Sequence, residues 1–387
     1  MVFRLAAAAR GNYNELLIFD GIAMSEHPGI RFCTTPDGVR LAMAMTGNGP
    51  PLLRAGTWFT HVEQDMDSPL THHWIADLSR GYTYVRYDSR GCGLSDHDVG
   101  EISLEAWVAD LETVADAADL QCFPLIGISC GVAVAIEYAV RHPERVSQLI
   151  CYGGFARGLL KKSSNPKVAQ AAQAMLSAAK VGWGSDSASF RQVFISQMFH
   201  DATADQQRMA DNQFRHNLSG ENAARYLEVF YGIDVRDAAI RVHCPTLVFH
   251  AQGDPLVPFD QGRELASLIP GARLVVLQSK NHVPFANEAA WSHFASELHG
   301  FLRDAGAAPA SSTLARAPDS LTSLTSRQRE VLKLVASGQT DKQIAKTLDL
   351  SPRTVEMHVA NTLLTLQCHT RAEAVRRGAE LGLLGLR

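Results

Sequence analysis

Short, almost uninterrupted apolar runs recur through the first three quarters of the chain: PLLRA (51–55), TYVRYD (83–88), FPLIGI (123–128), LICYGG (149–154), TLVFH (246–250) and LVVLQ (274–278). Amphipathic stretches of helical period, such as residues 104–118 and 132–140, lie between several of them. Strands that are apolar at nearly every position must be covered on both faces. The pattern therefore predicts an α/β fold: a doubly wound, mostly parallel sheet with helices on either side. The alternation breaks at about 155–239, a stretch without strand signals but rich in large apolar side chains, which predicts a helical cap over one sheet edge. Residues 304–320 read DAGAAPASSTLARAPDS, too poor in large apolar residues to bury a core, and are expected to be a flexible linker.

Residues 321–387 change period altogether. Thr325-Ser326-Arg327-Gln328, Thr340-Asp341-Lys342-Gln343 and Thr370-Arg371-Ala372-Glu373 are capping boxes that open helices. Gly338 is a natural stop for the first, and Ser351 with Pro352 opens another. The apolar positions Val331, Leu332, Leu334 and Val335, then Ile344, Ala345 and Leu348, face inward at helical spacing. Four short helices, the second and third barely separated, predict a small all-α helix-turn-helix domain with its motif at about 340–359.

Composition adds one fact to this division. The net charge of −4 hides a balance of +4 in residues 321–387, where ten Lys/Arg face six Asp/Glu, and of −8 before them. An acidic larger part joined to a basic smaller one suggests two tasks, the second directed at a polyanion. No apolar run reaches the ~18 residues needed to span a bilayer, and the start MVFRLAAAAR does not read as a secretion signal. Seven scattered cysteines without metal-ligand spacing read as reduced cytoplasmic thiols, so neither a metal nor another cofactor is expected. Residues 1–24 carry no interpretable pattern.

Chemistry enters at Gly127-Ile128-Ser129-Cys130-Gly131, a G-x-S-x-G sequence directly after one strand and directly before a helix. A sharp strand-to-helix turn exposes the serine and requires small neighbours. Such a serine needs a base, and the base an orienting acid. The turn after TLVFH offers Asp254 and the turn after LVVLQ offers His282, in the chain order Ser, Asp, His.

With these residues the chain resembles the α/β-hydrolase family over roughly 25–303. The resemblance implies Ser129 as nucleophile, Asp254 as acid and His282 as base. It implies an oxyanion hole from the amide of Cys130 and one amide of the loop after PLLRA, at Thr57 or Trp58. Where that family carries His-Gly, this loop has Ala55-Gly56-Thr57-Trp58. Asp88 and Arg90, in YDSRGCGLS (87–95), would hold loops. The cap's Trp183, Phe190, Phe194, Met198, Phe214, Tyr226 and Phe230 are expected to line an apolar pocket for a hydrophobic or aromatic small molecule.

The tail resembles the LuxR-type DNA-binding domain through LTSRQREVL (324–332), Ile344-Ala345, LSPRTV (350–355) and His358. The resemblance implies that a third helix, about 352–366, enters the major groove of double-stranded DNA, with Val355, Val359, Leu363 and Leu366 turned inward. Arg353, Glu356, Met357, Ala360 and Asn361 would face outward; Glu356, Met357 and Ala360 stand where the family reads bases. Thr340, Lys342, Ser351 and Thr354 stand at its phosphate contacts. Thr365 and Ala360 replace basic residues common in the family, so one domain alone should bind modestly and a homodimer through the fourth helix is expected. The combined expectation is a transcription regulator whose hydrolase-like domain senses, or also hydrolyses, a small ligand. The alternatives are a working serine hydrolase whose DNA-binding tail couples turnover to gene expression, and a ligand-free dimerisation scaffold.

Overall fold

The computed structural model describes residues 29–306 and, beyond them, 326–348, 355, 359, 362–363, 366, 368 and 370–380. Of the linker expected at 304–320, residues 304–306 instead continue the helix Ala289–Gly306; 307–320 and the segment 1–28 lie outside the described residues. The chain divides into two compact units, Met1–Ala308 and Pro309–Arg387.

The first unit is built on one eight-stranded sheet: β1 (Arg31–Thr34), β2 (Arg40–Thr46), β3 (Pro51–Arg54), β4 (Thr83–Tyr87), β5 (Phe123–Ile128), β6 (Val146–Tyr152), β7 (Thr246–Ala251) and β8 (Arg273–Leu277). Their order across the sheet is β1-β2-β4-β3-β5-β6-β7-β8. β1 and β2 pair antiparallel, as do β2 and β4, and all later pairs are parallel. From β3 the chain steps to one side to reach β4 and then to the other to reach β5. In an open α/β sheet this reversal leaves a crevice beyond the carboxyl ends of those strands, the usual place for a ligand.

Both faces are covered. Leu104–Ala117 and Gly131–Arg141 pack on one side with Leu53, Val85, Leu125, Leu149 and Val248. His72–Leu78 and Ala289–Gly306 cover the other, where Leu52, Tyr84, Ile126, Ile150, Leu247 and Phe249 meet Trp74, Trp291 and Phe294. Alternate residues of each strand serve opposite faces, which is why the strands read as continuous apolar runs. Between β6 and β7 the helices Pro166–Gly182, Ser189–Met198, Ala204–Asn217 and Gly220–Gly232 form the cap.

In the second unit, Ser326–Ala336, Asp341–Leu348 and Arg371–Glu380 are helical. Gly338, at φ +81°, ends the first, and its amide and that of Gln339 satisfy the last-turn carbonyls of Val335 and Leu334. Thr370 and Glu373 exchange side-chain-to-backbone bonds of 3.2 and 3.3 Å, a complete capping box. Val331, Ile344, Ala345, Val355 and Val359 form one apolar cluster, and Leu332, Leu366 and Ala374 another. Arg371 and Asp341 pair through two bonds of 2.8 and 2.7 Å.

Candidate active site

β5 delivers Ser129 in a left-handed backbone conformation, φ 54°, a strained position for any residue with a Cβ. Its amide donates to the Tyr152 carbonyl at 2.8 Å, locking the turn to β6. The flanking glycines are sterically required. A Cβ on Gly127 would lie 2.7 Å from the Gly131 carbonyl and the Val132 Cα; one on Gly131 would lie 2.9 Å from the Gly56 carbonyl. Gly127→Ala is therefore expected to cost about 1–3 kcal/mol through overpacking against backbone, read as a lower urea midpoint with unchanged slope.

Asp254 follows β7. Its Oδ1 accepts the amides of Leu256 and Val257, each at 2.9 Å, which fixes the carboxylate within its own turn. Oδ2 accepts from His282 Nδ1 at 2.6 Å, and both side chains are buried. A proton on Nδ1 leaves Nε2 with its lone pair free, as a general base requires. Nε2 has no hydrogen-bond partner and lines the same cavity as Ser129. The ring fits only because position 153 is glycine: a Cβ there would lie 3.0 Å from His282 Cε1. Tyr152 Oη donates to the His282 carbonyl at 3.1 Å, and Asn281 is tied to Glu288 at 2.8 Å, so the loop carrying the histidine is anchored from two sides.

His250, which the sequence pattern concealed, braces the turn that carries Asp254. It is fully buried at the end of β7, donates from Nε2 to the Val257 carbonyl at 2.7 Å, and stands 3.7 Å from Asp254 Oδ2. Burial lowers its pKa, keeping the ring neutral. A buried strand histidine next to a candidate acid was the available signal.

The loop after β3 reaches over the elbow. Thr57 Oγ1 and Cys130 Sγ are 3.0 Å apart, so the loop's side chain packs directly on the elbow. The Gly56 amide is already engaged by Tyr87 Oη at 2.9 Å. Trp58 is buried and stacks on Phe59 at 3.8 Å between ring centres; Phe59 itself has φ 63°. Asp88 Oδ2 accepts the amides of Val62 and Leu94, and burial pushes its carboxyl up to about 7. Arg90 is clamped between Asp110 and Asp37. Both residues hold loops.

A cavity of about 110 Å³ opens beside Ser129 and His282. One water needs roughly 10–15 Å³, so the space suits a small organic molecule. Of the seven cap residues expected on its wall, Met198 and Phe214 stand there. Trp183, Phe194, Tyr226 and Phe230 are instead buried in an aromatic stack with Trp58, and Phe190 packs behind Trp183. The cap needs a core of its own, and its largest rings supply it. The wall is completed by Trp74, Ile75, Leu70 and Phe199, and by polar residues no motif marked, Arg54, Asp65 and Gln213.

Of the candidate DNA-contacting residues, Thr340 and Lys342 are exposed at the start of the helix Asp341–Leu348. Ser351, Arg353, Thr354, Glu356, Met357, Ala360 and Asn361 lie outside the described residues. Val355, Val359 and Leu366 are buried, and Leu363 packs against them. Among the described residues no group of three His, Cys, Asp or Glu side chains is placed to hold a metal, and no helix is long and apolar enough to cross a membrane.

Sheet, elbow and cap define an α/β hydrolase scaffold. The model of the alpha/beta hydrolase fold matches residues 64–289, more than half of the chain, which therefore belongs to that family. The C-terminal unit matches the bacterial regulatory proteins of the luxR family over residues 322–377. The chain is 29% identical over 212 residues to a pyrrolizixenacetamide deacetylase of Xenorhabdus hominickii, covering 54% of this chain and 76% of that protein. In fold it is similar to an esterase from Exiguobacterium antarcticum (TM-score 0.60, 22% identity) over 70% of this chain and 98% of that one. It is similarly close to an enol-lactonase from Burkholderia xenovorans LB400 (TM-score 0.58, 24% identity) over 70% and 100%.

Proposed function

We propose that this protein is a DNA-binding transcription regulator whose hydrolase-fold domain receives a small ester or amide beside Ser129 and can hydrolyse it. The observation that carries the reading is the 2.6 Å bond between His282 and Asp254, with the free Nε2 and Ser129 on one cavity, in a chain that ends in a luxR-family domain. The deacetylase, esterase and lactonase among its relatives support acyl chemistry on small molecules. A purely metabolic hydrolase has no use for the second unit, so regulation is the output.

In this reading Ser129 Oγ attacks the substrate carbonyl while His282 Nε2 takes its proton. Asp254 holds the imidazolium, and the oxyanion is met by the amides of Cys130 and Thr57. The tetrahedral adduct expels the alcohol or amine, protonated by His282, and leaves an acyl-Ser129 ester. Water, deprotonated by the same histidine, then releases the acid and restores the serine. Pairing of two chains through the helix Arg371–Glu380 would present two reading helices about one duplex turn apart.

The DNA half of the proposal is tested by gel shift of the full chain across a salt series. Saturable, salt-sensitive duplex binding is expected. Lys342→Ala should reduce the slope of log K against log salt by roughly 0.9, the share of one phosphate contact. An unchanged slope would remove Lys342 from the interface.

A further inference from the structure

The cavity beside Ser129 is not apolar throughout. Its wall includes Arg54, the last residue of β3, whose Nε and Nη2 are buried without a hydrogen-bond partner. The register that pairs Leu53 with Val85 continues to set Arg54 alongside Arg86, which is fully buried with Nε, Nη1 and Nη2 all unpartnered. Two guanidinium groups thus share one side of the sheet, on the face of Leu52 and Tyr84.

The nearby carboxylates do not match them. Asp65, also on the cavity wall, accepts from Gln213 Nε2 on Oδ1 at 2.9 Å and from the His61 amide on Oδ2 at 3.4 Å, so it compensates the arginines through space only. Asp88 is engaged by the amides of Val62 and Leu94 at 3.1 and 2.9 Å, and burial pushes its carboxyl up to about 7. Tyr84, Asp65 and Asp88 stabilise the Arg54 charge through space, yet its Nε and Nη2 and all three nitrogens of Arg86 lack a hydrogen-bonded counter-charge, which is costly for a desolvated cation. Arg54 is the member of the pair that reaches the cavity.

We propose that Arg54 forms an anion subsite and that the molecule held beside Ser129 carries a carboxylate as well as the carbonyl to be attacked. The planar guanidinium matches a carboxylate in shape and charge. Trp74, Phe59 and Phe214 would cover the apolar stretch between the two groups. The ligand is then a short amphipathic acid bearing an ester or amide, more polar than the aromatic composition of the cap suggested. This inference rests on the cavity being the ligand site.

The test uses full-length protein carrying Ser129→Ala and two probes of equal shape, monomethyl glutarate and its neutral amide, methyl 5-amino-5-oxopentanoate, titrated calorimetrically. Monomethyl glutarate should bind at least tenfold tighter. Arg54→Met in the same background should erase that margin, and Arg54→Lys should keep part of it. Equal affinity for the two esters, a margin indifferent to Arg54→Met, or no saturable binding of monomethyl glutarate would overturn the proposal. The ester comparison needs Arg54 intact, so it decides the matter even if Arg54→Met fails to fold. Hydrolysis is read separately, with Ser129 present, from 4-nitrophenyl acetate. A glutarate preference without turnover would end the hydrolytic reading and leave the anion subsite standing.

Discussion

Replacing Ser129 by alanine is expected to lower kcat for a 4-nitrophenyl ester by a factor on the order of 10⁴ to 10⁶, with KM little changed. The magnitude follows from the loss of the nucleophile as a unit with its base, so His282→Ala should cost about as much and the double variant little more. Asp254→Asn should be severe for another reason. An amide in place of Oδ2 would donate to His282 Nδ1, drive the proton to Nε2 and leave no lone pair for Ser129. None of these changes should unfold the protein. Ser129→Gly would raise stability by about 1 kcal/mol, because glycine accepts φ 54° without strain. Stopped-flow release of 4-nitrophenolate and a urea titration separate the two effects. A Ser129→Ala protein as fast as the wild type would exclude covalent catalysis at this serine.

Arg90→Ala is expected to destabilise the hydrolase-fold unit by about 3–5 kcal/mol. Arg90 and Asp110 are each 1% exposed in their side chains and share two bonds of 2.9 and 2.6 Å. Removing the cation strands the Asp110 carboxylate in the interior, and burial already presses its pKa upward. The partner Asp37 is half exposed and adds little of its own. Pairing Arg90→Met with Asp110→Leu should recover much of the loss, since neither charge then needs a partner. All five tryptophans lie in the hydrolase-fold unit, so the urea transition followed by their fluorescence reports on that unit alone. A shift as small as that of a surface substitution would show that the pair is not structural.

The strands that carry the site were legible because parallel strands buried on both faces leave an unambiguous apolar signature. β1 and β2 were not. β1 is four residues with three exposed, and β2, RLAMAMT, is built of Ala and Met, which pattern equally well as helix. Ser129, Asp254 and His282 could be singled out because each follows a strand end, where the chain must turn and a side chain can project. The cap was harder. Apolar side chains at helical spacing say that a face is buried, not what buries it, and Trp183, Tyr226 and Phe230 went to the cap's own core. Arg54 escaped notice for the opposite reason. Inside the run PLLRA it reads as an isolated charge at a strand end, and only the fold brings it to Asp65, Arg86 and the cavity.

The central claim is that occupancy of the cavity beside Ser129 governs DNA binding by the second unit. Its most direct test is fluorescence anisotropy with a labelled duplex selected from a random pool by the full chain, with and without stoichiometric labelling of Ser129 by a small phosphonate. Labelling is expected to change duplex affinity at least tenfold. Equal affinity in the two states, or no duplex binding in either at low ionic strength, would contradict it.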